Sequence, residues 1–148
     1  MADASQLFER LNAQFGSNLE LSEDGQAIYC PKDSIVKLLQ VLGESQKYTF
    51  LTDLTAVENA EDLEVVYHVM MMENADLLRL KVKLAKDSLR IPSITSLWAS
   101  ADVLEREVFD LFGIIFDGHD NLTRILCPDD FVGHPLRKDF KLDIISRF

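Results

Sequence analysis

Three carboxylates and one guanidinium fall within six positions, at Glu105, Arg106, Glu107 and Asp110. Arg106 and Asp110 stand four apart, a spacing that lets them pair on one helical face. Paired carboxylates do acid–base work only inside a cleft that shifts their pKa values. A charged helix face is more often solvated, paired or set in an interface, and a structural or interface role is the reading taken here. His119, Cys127, His134 and Asp139 are all metal-ligand types, but they follow one another at intervals of eight, seven and five. Zinc sites use tighter pairs, Cys-x-x-Cys or His-x-x-x-His, so no metal site is expected. Cys127 and His134 lack an identifiable third group to orient them as nucleophile and base. His68, inside the apolar run from Val65 to Met72, reads as a hydrogen-bonded sheet histidine. The six glycines are scattered singly, so there is no phosphate-cradling loop. With no nucleotide loop, cluster ligands or nucleophile elbow, the chain shows no equipment for independent catalysis.

The elements that must position these groups follow from periodicity. Asp3 and Gln6 have capping-box spacing, Phe8, Leu11 and Phe15 follow at helical spacing, and Gly16 offers the terminal cap. Gln26 to Cys30 reads as a short strand closed by Pro31. Asp33 then caps a helix whose stripe is Ile35, Leu38, Leu39 and Leu42, with Gly43 as its end. Tyr48 to Leu54, rich in β-branched and aromatic residues, predicts a strand. Glu64 to Met72 and Leu77 to Leu84 form a hairpin through Glu73-Asn74-Ala75-Asp76. In its second arm Leu78, Leu80, Val82 and Leu84 face one way, and Arg79, Lys81 and Lys83 the other, as a strand wet on one side requires. Pro92 breaks the chain, and Ile94 to Trp98 adds a short strand. The last helix starts at Asp102 as cap, with Glu105 as its capping-box partner, buries Leu104, Val108, Leu111 and Phe112, and stops at Gly113.

This order predicts an α+β fold, a mainly antiparallel sheet with helices packed on one face, followed by an extended C-terminal segment. Residues 1–113 form the α+β domain, and 114–148 a partner-contacting tail within the same single domain. The tail has no convincing period, yet it is rich in large apolar residues such as Ile114, Phe116, Leu126, Phe131, Leu136 and Phe140. Disordered chains are not built that way, so the tail is expected to wrap its own domain and a partner.

The chain has 148 residues, 47% of them hydrophobic and 27% charged, with a mean hydropathy of +0.01. That is ordinary globular composition, with enough length for one core. A net charge of -10 repels phosphate backbones and anionic lipid heads, so neither nucleic acid nor direct membrane binding is expected. Residues 132–148 hold a local net of +2, leaving -12 on the rest, so this basic end can dock an acidic surface. The longest apolar run is far short of the ~20 residues of a membrane helix, and Met1-Ala2-Asp3-Ala4-Ser5 has no signal-peptide character. Two cysteines, Cys30 and Cys127, are read as reduced thiols in a cytoplasmic protein.

Two blocks, Leu104-Glu105-Arg106-Glu107-Val108-Phe109-Asp110-Leu111-Phe112-Gly113-Ile114 and Gly133-His134-Pro135-Leu136-Arg137-Lys138-Asp139-Phe140, closely resemble one family. It is the 30-kDa subunit family (the C type) of respiratory complex I, the proton-pumping NADH:quinone oxidoreductase. Gly118-His119 and Arg124-Ile125-Leu126 fit its pattern in order and at its spacing, and Asp53-Leu54-Thr55-Ala56-Val57 resembles a further motif. The likeness runs from about Tyr48 to Leu142. Asp120 stands where a proline is usual, and Thr123 where arginine is frequent.

The resemblance implies a non-catalytic subunit of the peripheral arm, on the cytoplasmic face of the cell membrane and held there only through its complex. It implies no cofactor in this chain, with FMN, iron–sulfur clusters and quinone in partner subunits. The implied partners are the 49-kDa-type subunit (the D type), or a homologous hydrogenase large subunit, and the iron–sulfur subunits. The chain would brace the neighbour that lines the quinone pocket, with Arg106, Arg137 and Lys138 paired to carboxylates. The alternative is the equivalent subunit of a membrane-bound energy-converting [NiFe] hydrogenase, or of a complex using a donor other than NADH. A free-standing enzyme using Glu105, Glu107, Asp110, His119 or His134, and a small independent binding module, are the remaining rivals.

Overall fold

The computed structural model describes residues 4–16 and 18–142. The elements are α1 (Ala4–Phe15), β1 (Glu20–Leu21), β2 (Ala27–Tyr29), a single 3-10 turn (Lys32–Ser34), α2 (Ile35–Gln46), β3 (Tyr48–Glu58), β4 (Asp62–Met71), β5 (Asp76–Ala85), β6 (Arg90–Pro92), α3 (Ala101–Phe112) and β7 (Ile115–Asp117). One five-stranded sheet has the order β1-β2-β5-β4-β3. Its pairs are antiparallel except β2 with β5. A small second sheet pairs β6 and β7 in parallel.

Alternation in β4 and β5 sorts the two faces. Leu63, Val65, Tyr67 and Val69 with Leu78, Leu80, Val82 and Leu84 join Leu7 and Leu11 of α1, the α2 stripe, and Val108 and Phe112 of α3 in one core. That burial is the main force holding the layers together. On the other face, Asp53, Thr55 and Val57 of β3 stand opposite His68, Val66 and Glu64 of β4. Those in turn oppose Arg79, Lys81 and Lys83 of β5. This is the α+β fold, with helices on one face, that the pattern predicts.

Several boundaries differ. α2 is preceded by the 3-10 turn, and neither Asp33 nor Ser34 caps it with a side chain. It also runs through Gly43 to Gln46 and ends at left-handed Lys47 (φ 64°), because the next residue, Tyr48, must enter the core. β3 continues four residues past Leu54, paired throughout with β4. Ile94 to Trp98 forms a turn in which the Leu97 and Trp98 amides donate to the Ile94 carbonyl. The strand there is β6, just upstream. α3 begins at Ala101 without a side-chain cap, so Asp102 lies inside its first turn and Glu105 is no capping-box partner. Gly113 does end α3, at φ 80°. Gly16 ends α1, its amide donating to Asn12, whereas Asp3 lies outside the described residues.

Candidate functional site

The chemistry-bearing residues gather where α3 ends and the following segment returns to it. A helix terminus leaves its last carbonyls without intrahelical donors, and each of the last four in α3 is met here. The Gly113 amide donates to Phe109 O at 2.9 Å and the Leu136 amide to Leu111 O at 3.0 Å. Asp110 O accepts from Arg124 Nη1 at 3.2 Å and His134 Nδ1 at 2.9 Å. Phe112 O accepts from Arg137 Nη1 at 3.4 Å. Two of these donors are cationic side chains, the sign that the negative end of a helix dipole favours. Because a carbonyl only accepts, His134 carries its proton on Nδ1.

Asp110 is the hub. Its fully buried carboxylate accepts from Arg124 Nη1 at 2.7 Å and from three consecutive amides, Ile125 at 3.0 Å, Leu126 at 2.7 Å and Cys127 at 2.8 Å. Burial pushes its pKa up, but those four donors together outweigh it and hold the carboxyl far below the usual range. The same burial, beside the Asp110 charge, raises the Cys127 thiol. Arg124 Nη2 reaches on to Gly133 O at 2.8 Å.

Arg106 does not pair with Asp110. Its Nε and Nη2 donate to Thr123 O and Arg124 O, at 3.1 and 3.0 Å. Thr123, where arginine is frequent in the resembled family, therefore serves through its backbone. A second clamp lies at the end of β3. Glu58 Oε1 accepts from the Lys138 amide at 2.7 Å and Arg137 Nε at 3.3 Å, and Oε2 lies 3.2 Å from Lys86 Nζ. The Lys138 amide, then Lys86 and Arg137, draw the Glu58 carboxyl below its ordinary value against the effect of burial. Arg137 thus pairs with a carboxylate of this chain, while Lys138 contributes its backbone and leaves its ammonium exposed.

Glu105, also fully buried, turns the opposite way. Its oxygens accept from the Ile94 amide and Ser93 Oγ, both at 2.7 Å, so it pins the loop after β6. Burial raises its pKa, opposed by those two donors. His119 Nε2 lies 2.8 Å from Asp102 Oδ1, and its Nδ1 accepts from the Asn121 amide, which places the ring proton on Nε2. Gly113 has no room for a side chain, since a Cβ there would meet the His134 ring at 2.8 Å.

The remaining motif residues scatter. Glu107 and Asp139 are exposed, and Pro135-Leu136 forms the turn whose Leu136 amide meets α3. Asp53 lies on the helix-free face of the sheet, accepting from the Leu54 amide, away from the α3 site. Among the described residues no group of three or more His, Cys, Asp or Glu is placed to hold a metal, and no helix is long and apolar enough to cross a membrane. Sequence reasoning missed Glu58 and Ser93, whose partners lie 79 and 12 residues away, and it marked Thr123 only for its side chain, whereas Thr123 acts through its carbonyl.

The inward bonding leaves an apolar exterior. Leu126, Val132, Leu136 and Leu142 are more than half exposed on the returning segment, as is Val103 on α3.

Comparison with known proteins locates this arrangement. The family described as "Respiratory-chain NADH dehydrogenase, 30 Kd subunit" matches residues 28–144. The C-type subunit of NADH-quinone oxidoreductase from Moorella thermoacetica is 49% identical over 129 residues, covering 84% of this chain and 87% of that one. A fused C/D protein of NADH-quinone oxidoreductase from Psychrobacter is 40% identical over 124 residues, covering 76% of this chain and 21% of its own length. Among solved structures, the trypsin-resistant fragment (1-134) of Nqo5 superposes with a TM-score of 0.65 at 25% identity, over 82% of this chain and all of that one.

Proposed function

This chain belongs to the 30-kDa subunit family of respiratory-chain NADH dehydrogenase, and on that premise we propose that it is a non-catalytic subunit of a complex-I-type NADH:quinone oxidoreductase. Its role is to brace the neighbour that forms the quinone site, a subunit of the D type. It carries no cofactor itself. FMN, iron–sulfur clusters and quinone belong to the other subunits, and the chain sits at the cytoplasmic face of the membrane only as part of that assembly.

One observation carries this reading. The buried acids at this site are spent on internal bonds, Asp110 on Arg124 and the 125–127 amides, Glu58 on Arg137 and Lys138, Glu105 on Ser93 and Ile94. An acid–base enzyme needs such groups facing a cleft. Here they hold one segment in shape, and the segment buries Ile114 and Phe116 in the core while leaving Leu126, Val132, Leu136 and Leu142 exposed, as a surface moulded for a partner does. The existence of relatives in which the C and D types are one polypeptide supports the D type as that partner.

The test is a mild-detergent pull-down of the tagged chain from its host's membranes, with mass spectrometry of the co-purifying proteins. A D-type subunit with iron–sulfur and NADH-binding subunits is the expected set. A nickel-bearing hydrogenase large subunit, or a donor module without an NADH site, would move the chain to a complex using another donor. Recovery of the chain alone from intact membranes overturns the reading.

A further inference from the structure

The helix-free face of the sheet takes no part in the α3 site or in the Glu58 clamp. Across its middle, Asp53, His68 and Arg79 stand in register on β3, β4 and β5. Arg79 Nε donates to His68 Nε2 at 2.9 Å, which places the imidazole proton on Nδ1 and aims the guanidinium. The two terminal nitrogens of Arg79 have no partner among the described residues. Further along β5, Lys81 and Lys83 lie over the Tyr29 ring, 5.6 and 4.5 Å from its centre. Lys81 is also paired with Glu64 at 3.2 Å, whereas Lys83 is exposed with no carboxylate partner among the described residues.

Three cations thus stand at every second residue of one strand, in a chain whose net charge is -10. They line one wall of a groove of about 510 Å³, and Glu20 of β1 with Ser22, Glu23 and Asp24 of the turn after it line the other. Asp24 is turned into its own loop, bonded to Ser22 Oγ at 2.6 Å and to the Gln26 amide at 3.0 Å. Beyond the row the face becomes apolar, with Phe50 and Val57 each 46% exposed.

We propose that this face is a second docking surface, and that it takes an acidic segment of another polypeptide of the assembly, seating one of its carboxylates on Arg79 and another on Lys83. An aimed guanidinium with both terminal nitrogens open is suited to a two-pronged carboxylate contact. His68 and Tyr29 already hold the cations in place, so binding orders few further side chains. Glu20 and Glu23 on the far wall repel the occupant's acids and keep them on the β5 side. The inference rests on the subunit reading and deepens it. The surface at α3 and the surface on the sheet lie on opposite sides of the layer, so the chain is held between two neighbours.

Amine acetylation of the purified native complex and of the isolated chain tests this, with mass spectrometry reading Lys81 and Lys83. Acetylation of Lys83 at least about tenfold slower in the complex is expected, together with a carbodiimide cross-link from Lys83 to an Asp or Glu of a neighbouring subunit. Lys83→Gln, at an exposed position that leaves the Arg79–His68 bond intact and sets no second acid opposite Glu64, lowers the assembled fraction by about tenfold while the isolated variant keeps the wild-type fold. Equal acetylation in the two states, or cross-links confined to this chain's own Glu20, Glu23 or Glu64, overturns the inference and leaves the subunit reading standing. Cross-links to a second copy of this chain also overturn it. Failure to recover any complex overturns both.

Discussion

Asp110 and Glu105 are both fully buried acids five residues apart on one helix, yet their surroundings push them in opposite directions. Four donors outweigh burial at Asp110 and lower its pKa, whereas at Glu105 burial outweighs two donors and raises it. Asp110 therefore contributes stability that is complete above the unfolded carboxyl value of about 4 and is lost as pH falls toward the folded value. Glu58, lowered by the Lys138 amide and its neighbouring cations, acts with the same sign. Asp110→Asn is expected to cost about 3 kcal/mol near neutral pH, because it leaves Arg124 without its counter-charge in a partly buried site. Urea titrations between pH 3 and pH 7 check this. The variant should show a flatter loss of stability on acidification, and identical slopes would sink the assignment. Glu105 has the reverse dependence, its contribution declining as pH rises above the unfolded value toward the raised folded one. Glu105→Gln keeps an acceptor for the Ile94 amide and a partner for Ser93, and should change stability by less than about 1 kcal/mol. Glu105→Ala, which strands that buried amide, should cost about 2 kcal/mol or more. If the glutamine variant proves the worse of the two by thermal unfolding, the anchoring role of Glu105 is wrong.

At the scale of elements, α3 and the returning segment are a single unit, since the segment supplies the donors that the last turn of α3 requires. This explains how 29 residues, 114–142, with one three-residue strand among them, keep a defined path. The segment's internal bonds hold it on its own domain, while Leu126, Val132, Leu136 and Leu142 stay more than half exposed. α2 illustrates the opposite case, an element whose end is strained. Lys47 adopts φ 64°, a left-handed conformation that costs a residue with a Cβ roughly 1 kcal/mol. Lys47→Gly should therefore stabilise the chain by about 0.5–1 kcal/mol, less a few tenths for its exposed contact with Glu73. A thermal midpoint no higher than that of the wild type would contradict it.

The whole molecule is a two-sided layer, with helices and the α3 site on one face of the sheet and a basic row on the other. This geometry separates two residues that look equivalent in sequence. Arg137 bonds Glu58 and the end of α3, so Arg137→Ala should destabilise the isolated chain by about 2 kcal/mol. Lys138 gives only its backbone amide. Lys138→Ala should leave the isolated chain within about 0.5 kcal/mol of wild type and act only on assembly. Comparing unfolding of the free variants with the yield of assembled complex separates the two effects. Equal losses of stability from both would refute the distinction.

Much of this was legible along the chain. Period-two alternation in 77–84 and the apolar stripe in 35–42 predict β5 and α2 because side-chain direction repeats with backbone geometry, and the two motif blocks carry the family. What the one-dimensional pattern could not hold is the choice of partners. Arg106 and Asp110 have the spacing of a helical pair, yet Asp110 takes Arg124 and three amides, and Arg106 takes two carbonyls, because a buried carboxylate gains more from four converging donors than from one neighbour. Glu58 meets Arg137 across 79 residues of sequence, a distance no local rule spans. The sequence by itself determined which faces are apolar, since that depends on local chemistry. Only the tertiary structure decided which buried charge is answered by which donor, because that depends on what the folded layers bring together.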